Sequence, residues 1–195
     1  TPNSTTFTPV IGPDIVPCSL RSPRLATLRR GAPIDPVGPS IGRLASRPMI
    51  LFVCTGNICR SPMGEALLRH SLTAAGADHP VASAGTHAMD GGPATGHGIE
   101  VLGDRGIDLT GHLSRHLNAE IVDGADLIVA MTRQHEAVVG RLDPMARGRT
   151  FLAGEVARLG GQVGPPADDE GLRDWAARLD GARGGHMTTG RVADE

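Results

Sequence analysis

The sequence predicts an α/β protein of three layers, a four-stranded parallel sheet between two layers of helices. Three observations carry this. From Met49 onward, short apolar runs alternate with segments of helical period. The helical segments are punctuated by capping residues and glycines. The apolar runs are continuous rather than alternating, as strands buried on both faces must be.

The elements follow in order. "MILFVC" (49–54) is the first buried strand. "SPMGEALLRHSLTAAG" (61–76) reads as a helix with Ser61 as N-cap, Pro62 at the first helical position and Gly76 past its end. "HPVASAGT" (79–86) is a second strand, and "GPATGHGIEVLGDRG" (92–106) a helix stopped by Gly106. "ADLIVAM" (125–131) is a third strand, and "TRQHEAVVGRL" (132–142) a helix with Thr132 as N-cap. "RTFLAG" (149–154) is a short fourth strand. "GEVARLG" (154–160) and "EGLRDWAARLDGA" (170–182) are later helices. Repeated β–α alternation implies right-handed crossovers and helices on both faces. Ligands of such sheets bind beyond the carboxyl ends of the strands.

Composition bounds the rest. The chain has 195 residues, a net charge of −2 and 2% aromatics; all of its basic residues are arginine and it has no tyrosine. No basic field argues for nucleic acid or an anionic membrane. No apolar run approaches the roughly 20 residues of a membrane span. Three cysteines, Cys18, Cys54 and Cys59, are too few for a disulfide scaffold and fit a reducing, cytoplasmic setting. The eight histidines show no metal-ligand spacing. Residues 1–48 are rich in Pro, Ser, Thr and Arg and read as a disordered arm ahead of a domain over 49–195. The arm is open to two readings, a transit peptide or a gene start placed upstream of Met49.

The chemistry concentrates in "CTGNICRS" (54–61). Cys54 ends a strand and a helix begins at Ser61. A tight loop at a helix N-terminus turns backbone N–H groups inward, and with the helix dipole makes a phosphate-binding cradle of Thr55, Gly56, Asn57, Ile58 and Cys59. Gly56 permits a positive φ, and Asn57 is the next most tolerant residue of that region. Arg60 offers a planar fork for two phosphate oxygens. Ser61 can donate to the Cys54 sulfur, and the dipole favours the thiolate. The chemistry this builds is in-line attack of sulfur on phosphorus.

"VCTGNICRSPMGEALLR" resembles the signature of the low-molecular-weight protein-tyrosine phosphatases, and the resemblance extends from Met49 to about Leu159 through "SAGTHAMDGGPATGHGIEVLGDRGIDLTGHLSRHL" and "ADLIVAMTRQHEAVV". It implies Cys54 as nucleophile, Arg60 as phosphate clamp, and Asn57, Ser61, Ser83 and His112 as a hydrogen-bond network holding the loop. It implies that Cys59 can form a reversible disulfide with Cys54 on oxidation. It implies protein phosphotyrosine as substrate, inorganic phosphate as product and inhibitor, and no cofactor. By analogy it suggests a bacterial tyrosine kinase or exopolysaccharide regulation as the context.

Two departures stand out. The family's general acid is an aspartate of an Asp-Pro pair near the carboxyl end, whereas Asp-Pro occurs here only at Asp35 and Asp143. Asp168, Asp169 and Asp194 lack the proline. The preferred expectation is that the acid loop follows just beyond Glu195, with the last helix of the fold after it. His87 and Met89 stand where the family usually places an aromatic pocket wall. Ile58 occupies the loop position where the related protein-arginine phosphatases typically carry Thr, which favours aryl phosphates. Two other functions compete: a phosphate- or phosphoprotein-binding module without turnover, and an arsenate reductase. No cysteine follows Cys59 to relay a disulfide, which argues against the thioredoxin-linked reductase.

Overall fold

Four parallel strands stand side by side in the order β2-β1-β3-β4 in the computed structural model, which describes residues 49–77, 79–167 and 169–184. They are β1 (Ile50–Cys54), β2 (Val81–Gly85), β3 (Leu127–Ala130) and β4 (Thr150–Leu152). Helices α1 (Arg60–Ala74), α2 (Gly96–Gly103), α3 (Ala119–Asp123), α4 (Arg133–Leu142), α5 (Ala153–Val163) and α6 (Leu172–Gly184) connect and cover them. The expected three-layer α/β architecture is the one observed. The disordered arm expected over 1–48, with Cys18 and Asp35, lies outside the described residues, as do Asp168 and Asp194.

Alternation along β1 divides the core. Leu51 and Val53 join Ala82, Ala84, Ile128 and Val139 on one face, with α3 and α4. Ile50 joins Leu127, Val129, Phe151, Leu159 and Leu179 on the other, with α5 and α6. The continuous apolar runs are thus explained by burial on both faces. A smaller cluster of Ala66, Leu102, Ile107 and Leu109 fastens α2 to α1.

Several element ends differ from the sequence reading. Helix α1 starts at Arg60, with Cys59 as N-cap and no side-chain cap bond. Ser61 is therefore inside the first turn, and its hydroxyl is spent on the loop instead. Gly76 takes φ +70 just past the helix, as a left-handed terminator should. Thr132 is the N-cap of α4, but its hydroxyl makes no cap bond. The short α3 and a 3-10 turn over Pro144–Arg149 were not foreseen; five or six residues carry too little periodicity to be read.

Helices α5 and α6 form a pair. Their connection lies at the amino edge of the sheet, because Arg173 at the start of α6 bonds Asp126 at 3.0 Å just before β3. Trp175 donates from Nε1 to the Gly164 carbonyl at 2.9 Å, and a Cβ at Gly160 would lie 3.5 Å from its ring. At the other end of α6, Arg183 donates to the Thr150 carbonyl at 2.8 Å and to Glu155 at 3.1 Å, and lies 4.3 Å over the Phe151 ring. Glu136 of α4 is 3.8 Å away. No described helix is long and apolar enough to cross a membrane.

Candidate active site

Strand β1 carries Cys54 to the carboxyl edge of the sheet, opposite Gly85 of β2. The chain then turns through 55–59 into α1. Cys54 is buried, and its Sγ accepts the Asn57 backbone N–H at 3.3 Å. Sγ also lies 3.0 Å from the Ser61 hydroxyl. The loop therefore curls around the sulfur, at the end of a 15-residue helix whose dipole favours negative charge there.

Asn57 is the hinge of the loop. It is the one non-glycine residue with positive φ, 51°, among the described residues. Of the two loop residues the sequence marked as tolerant of that conformation, Asn57 adopts it and Gly56 does not. A short amide side chain tolerates the left-handed region and can be anchored there. Every polar group of Asn57 finds a partner: its Nδ2 donates to Ser61 Oγ at 2.9 Å and Ser83 Oγ at 2.8 Å. Its Oδ1 accepts the Arg115 backbone N–H at 2.8 Å, which fixes the orientation of the amide. Its carbonyl accepts from His112 Nε2 at 2.6 Å.

Two groups the sequence reading did not single out complete this chain. Ser83 donates to Glu65 Oε2 at 2.5 Å, and the other carboxylate oxygen of Glu65 is held by Arg69. Because Ser83 donates to Glu65 it can only accept from Asn57, and because Asn57 donates to Ser61, the Ser61 hydroxyl is free to donate to sulfur. The Ala84 carbonyl, at 3.4 Å, is its more distant alternative. Ser61, Glu65 and Arg69 recur at spacing of four in "RSPMGEALLR", so one helix face was legible in the sequence.

Gly85 is required for this packing. A Cβ there would sit 2.6 Å from the Thr55 carbonyl oxygen and 2.7 Å from the Asn57 nitrogen. Real carbons do not approach backbone so closely, so only glycine lets the end of β2 brace the loop.

On the open side of the cradle, Arg60 Nη2 donates to Thr55 Oγ1 at 3.2 Å. Thr55 Oγ1 is also 3.0 Å from Nε2 of His135, a buried residue in the first turn of α4 that the sequence reading passed over. Burial lowers the pKa of His135, and the charges of Arg60 and His87 lower it further. His87 bonds Thr86 Oγ1 through Nδ1 at 3.0 Å and is exposed. Met89, Ile58 and Leu113 are exposed to 85%, 39% and 54%. Ile58 adjoins the segment after Met89, since its carbonyl accepts the Thr95 N–H at 2.7 Å. Cys54 and Cys59 are both free thiols.

The aspartates weighed as general acid lie elsewhere. Asp143 caps the 3-10 turn through Met145 N–H at 2.8 Å and pairs with Arg149 at 3.1 Å. Arg149 in turn bonds the Ala125 carbonyl, at the amino edge, opposite Cys54. Asp169 is exposed in the α5–α6 connection at the same far edge. Among the described residues, no three His, Cys, Asp or Glu side chains are grouped to hold a metal ion.

The chain is similar to known proteins over much of the described domain. Residues 49–155 match the family model described as low molecular weight phosphotyrosine protein phosphatase. The chain is 45% identical over 106 residues to the low molecular weight protein-tyrosine-phosphatase Etp of Escherichia coli K12, spanning 54% of this chain and 69% of that protein. It is 42% identical over 106 residues to a protein-arginine-phosphatase of Bacillus subtilis, spanning 54% and 70% respectively. The crystal structure of the Erwinia amylovora tyrosine phosphatase AmsI superposes with a TM-score of 0.51 at 34% identity, covering 70% of this chain and 88% of that one.

Proposed function

Because the chain belongs to the low molecular weight phosphotyrosine protein phosphatase family, we propose that it hydrolyses phosphotyrosine in proteins through a phosphocysteine on Cys54. The observation that carries this is the sulfur itself. Cys54 Sγ accepts from the Asn57 N–H and faces the Ser61 hydroxyl, at the mouth of α1, whose first residue Arg60 bonds the neighbouring Thr55. Hydrogen bonds and a helix N-terminus stabilise negative charge on sulfur, and the same groups suit a phosphate.

In this reading Sγ attacks phosphorus in line. The S–P bond forms as the P–O bond to the ring breaks, and the electron pair leaves with the phenolate. Arg60 and the loop amides Thr55 to Cys59 hold the equatorial oxygens while charge redistributes. Water then attacks phosphorus, the S–P bond breaks, and the sulfur leaves as a thiolate received by the Ser61 hydroxyl. Inorganic phosphate is released. Ser83 and His112 act through Asn57, and His87 and Met89 flank the entrance. Cys59, adjacent to Arg60, serves as the partner that protects Cys54 as a disulfide under oxidation. A nucleophile of this kind must stay reduced, which supports a cytoplasmic site of action. A bacterial tyrosine kinase is the kind of phosphoprotein substrate we propose.

The similarity to the Bacillus subtilis protein-arginine-phosphatase supports a second reading, hydrolysis of phosphoarginine. Ile58 weighs against it. This exposed loop residue presents a branched alkyl group, which suits the face of a ring better than a guanidinium that needs polar partners. The two readings separate on phosphotyrosine and phosphoarginine peptides of one sequence: kcat/KM at least tenfold higher for phosphotyrosine is expected, and the reverse order would favour the second.

Rapid mixing with p-nitrophenyl phosphate tests the core of the proposal. That leaving group departs without a proton, so a burst of one equivalent is expected, then slower turnover limited by hydrolysis of the phosphocysteine. Cys54→Ser, with the fold retained by circular dichroism, is expected to lose the reaction. Phosphate binding without any burst would reduce the protein to a binding module.

A further inference from the structure

Arg60 has one side-chain partner among the described residues, the Thr55 hydroxyl at 3.2 Å, and no acidic partner. A guanidinium only donates, so Thr55 Oγ1 receives that bond and its single proton must point elsewhere. The other neighbour of Oγ1 is His135 Nε2, at 3.0 Å. With Nε2 as the acceptor of that proton, the ring carries its own on Nδ1. Nδ1 lies 3.0 Å from Thr132 Oγ1, which in that tautomer receives its proton. That contact occupies the Thr132 hydroxyl, which makes no bond to the backbone of α4 although Thr132 is its N-cap.

The ring is buried and clasped between two hydroxyls that come from different elements. Its surroundings keep it neutral. Arg60 from α1 and His87 from the segment after β2 face it as positive or protonatable groups. On its own helix, Glu136 pairs with Arg133 at 3.6 Å and with Arg183 of α6 at 3.8 Å.

We propose that His135 is a positioning residue for the anion site: as the Nδ1–H tautomer it takes the Thr55 hydroxyl proton, turns the Thr55 lone pairs toward Arg60, and so holds the guanidinium over the cradle before an anion arrives. This rests on the reading of the cradle as an anion site and assigns its preorganisation to a helix that follows β3, far from the signature loop in sequence. A long arginine side chain left without this anchor spends most of its time away from the sulfur, and the anion must then order it on binding.

The test uses sulfate, whose charge is constant at neutral pH, titrated by calorimetry into the full chain. His135→Leu and Thr55→Val each break the relay, and each is expected to weaken sulfate about tenfold, the loss of one ordered hydrogen-bonded contact. His135→Gln keeps an acceptor for Thr55 and a donor for Thr132, and is expected to stay within threefold of the parent. The decisive comparison is made in an Arg60→Met background, where His135→Leu and Thr55→Val should have no further effect, because a residue acting through Arg60 cannot matter once Arg60 is gone. Equal losses with and without Arg60 would overturn the proposal and leave His135 a packing residue of α4. Nitrogen-15 spectra of the histidines showing the proton on Nε2 of His135 would overturn it as well. Thr55→Val leaves the buried ring in place and keeps the test open if His135→Leu does not fold. Sulfate binding with the expected coupling but no burst would defeat the phosphatase reading and keep this one; a burst without coupling would do the opposite.

Discussion

Asn57 concentrates the residue-scale chemistry of the molecule. It is fully buried, holds φ 51°, and links His112, Arg115, Ser61 and Ser83 to the loop around the sulfur. Replacing it separates two effects. Asn57→Gly keeps the left-handed backbone at little steric cost, while Asn57→Ala adds about 1–2 kcal/mol of conformational penalty. Both lose the side-chain bonds, so both are expected to lower kcat/KM by about a hundredfold. The alanine variant is expected to unfold at lower denaturant, with urea melts reading the difference. Glu65 is the other sensitive point, since its carboxylate is buried between Ser83 and Arg69. Arg69→Met strands that carboxylate and is expected to cost about 1–3 kcal/mol, less than a fully buried pair because Arg69 is half exposed.

At the scale of elements, the site is the meeting of one strand end, one helix start and one brace. Gly85 is where the brace touches, and Gly85→Ala must push β2 and the loop apart because both near atoms are backbone. Activity is expected to fall by about two orders of magnitude, a displacement of reacting groups rather than loss of any of them, as steady-state kinetics on p-nitrophenyl phosphate would show. The strands, α1, α4 and α6 were legible in the sequence because period and punctuation are local signals. The cradle was legible for the same reason, since Cys54 to Ser61 form one short segment. What escaped was relational. Ser83 meets Glu65 across 18 residues and Thr55 meets His135 across 80, and no local pattern announces such pairings. Residue type marks both Gly56 and Asn57 as tolerant of a positive φ, and the network around Asn57 decides which of them takes it. Asp143, the one aspartate before proline in the domain, is an ordinary cap paired with Arg149 at the wrong edge of the sheet.

For the molecule as a whole, His135 couples stability to pH. Its pKa is depressed in the folded state, so below the ordinary imidazole range near pH 6.5 the unfolded chain binds more protons than the native one. Its burial is therefore free of this penalty above that range, and stability is expected to fall as pH drops through it toward the depressed value. His135→Gln is expected to flatten that part of a plot of Tm against pH. A second global property concerns the α5–α6 pair, fastened to the sheet at one end by Arg173 and at the other by Arg183 on Thr150, Glu155 and Phe151. Arg183→Ala is expected to speed amide exchange in α5 and α6 while leaving β1 and α1 protected, as hydrogen-exchange mass spectrometry would record. Trp175 stands inside this pair, and the chain has no other tryptophan and no tyrosine. Its ultraviolet emission is therefore an optical channel dedicated to the docking of these two helices. Fluorescence melts will report their departure, and a ligand that settles at Cys54 will register there through the stability it lends to the fold.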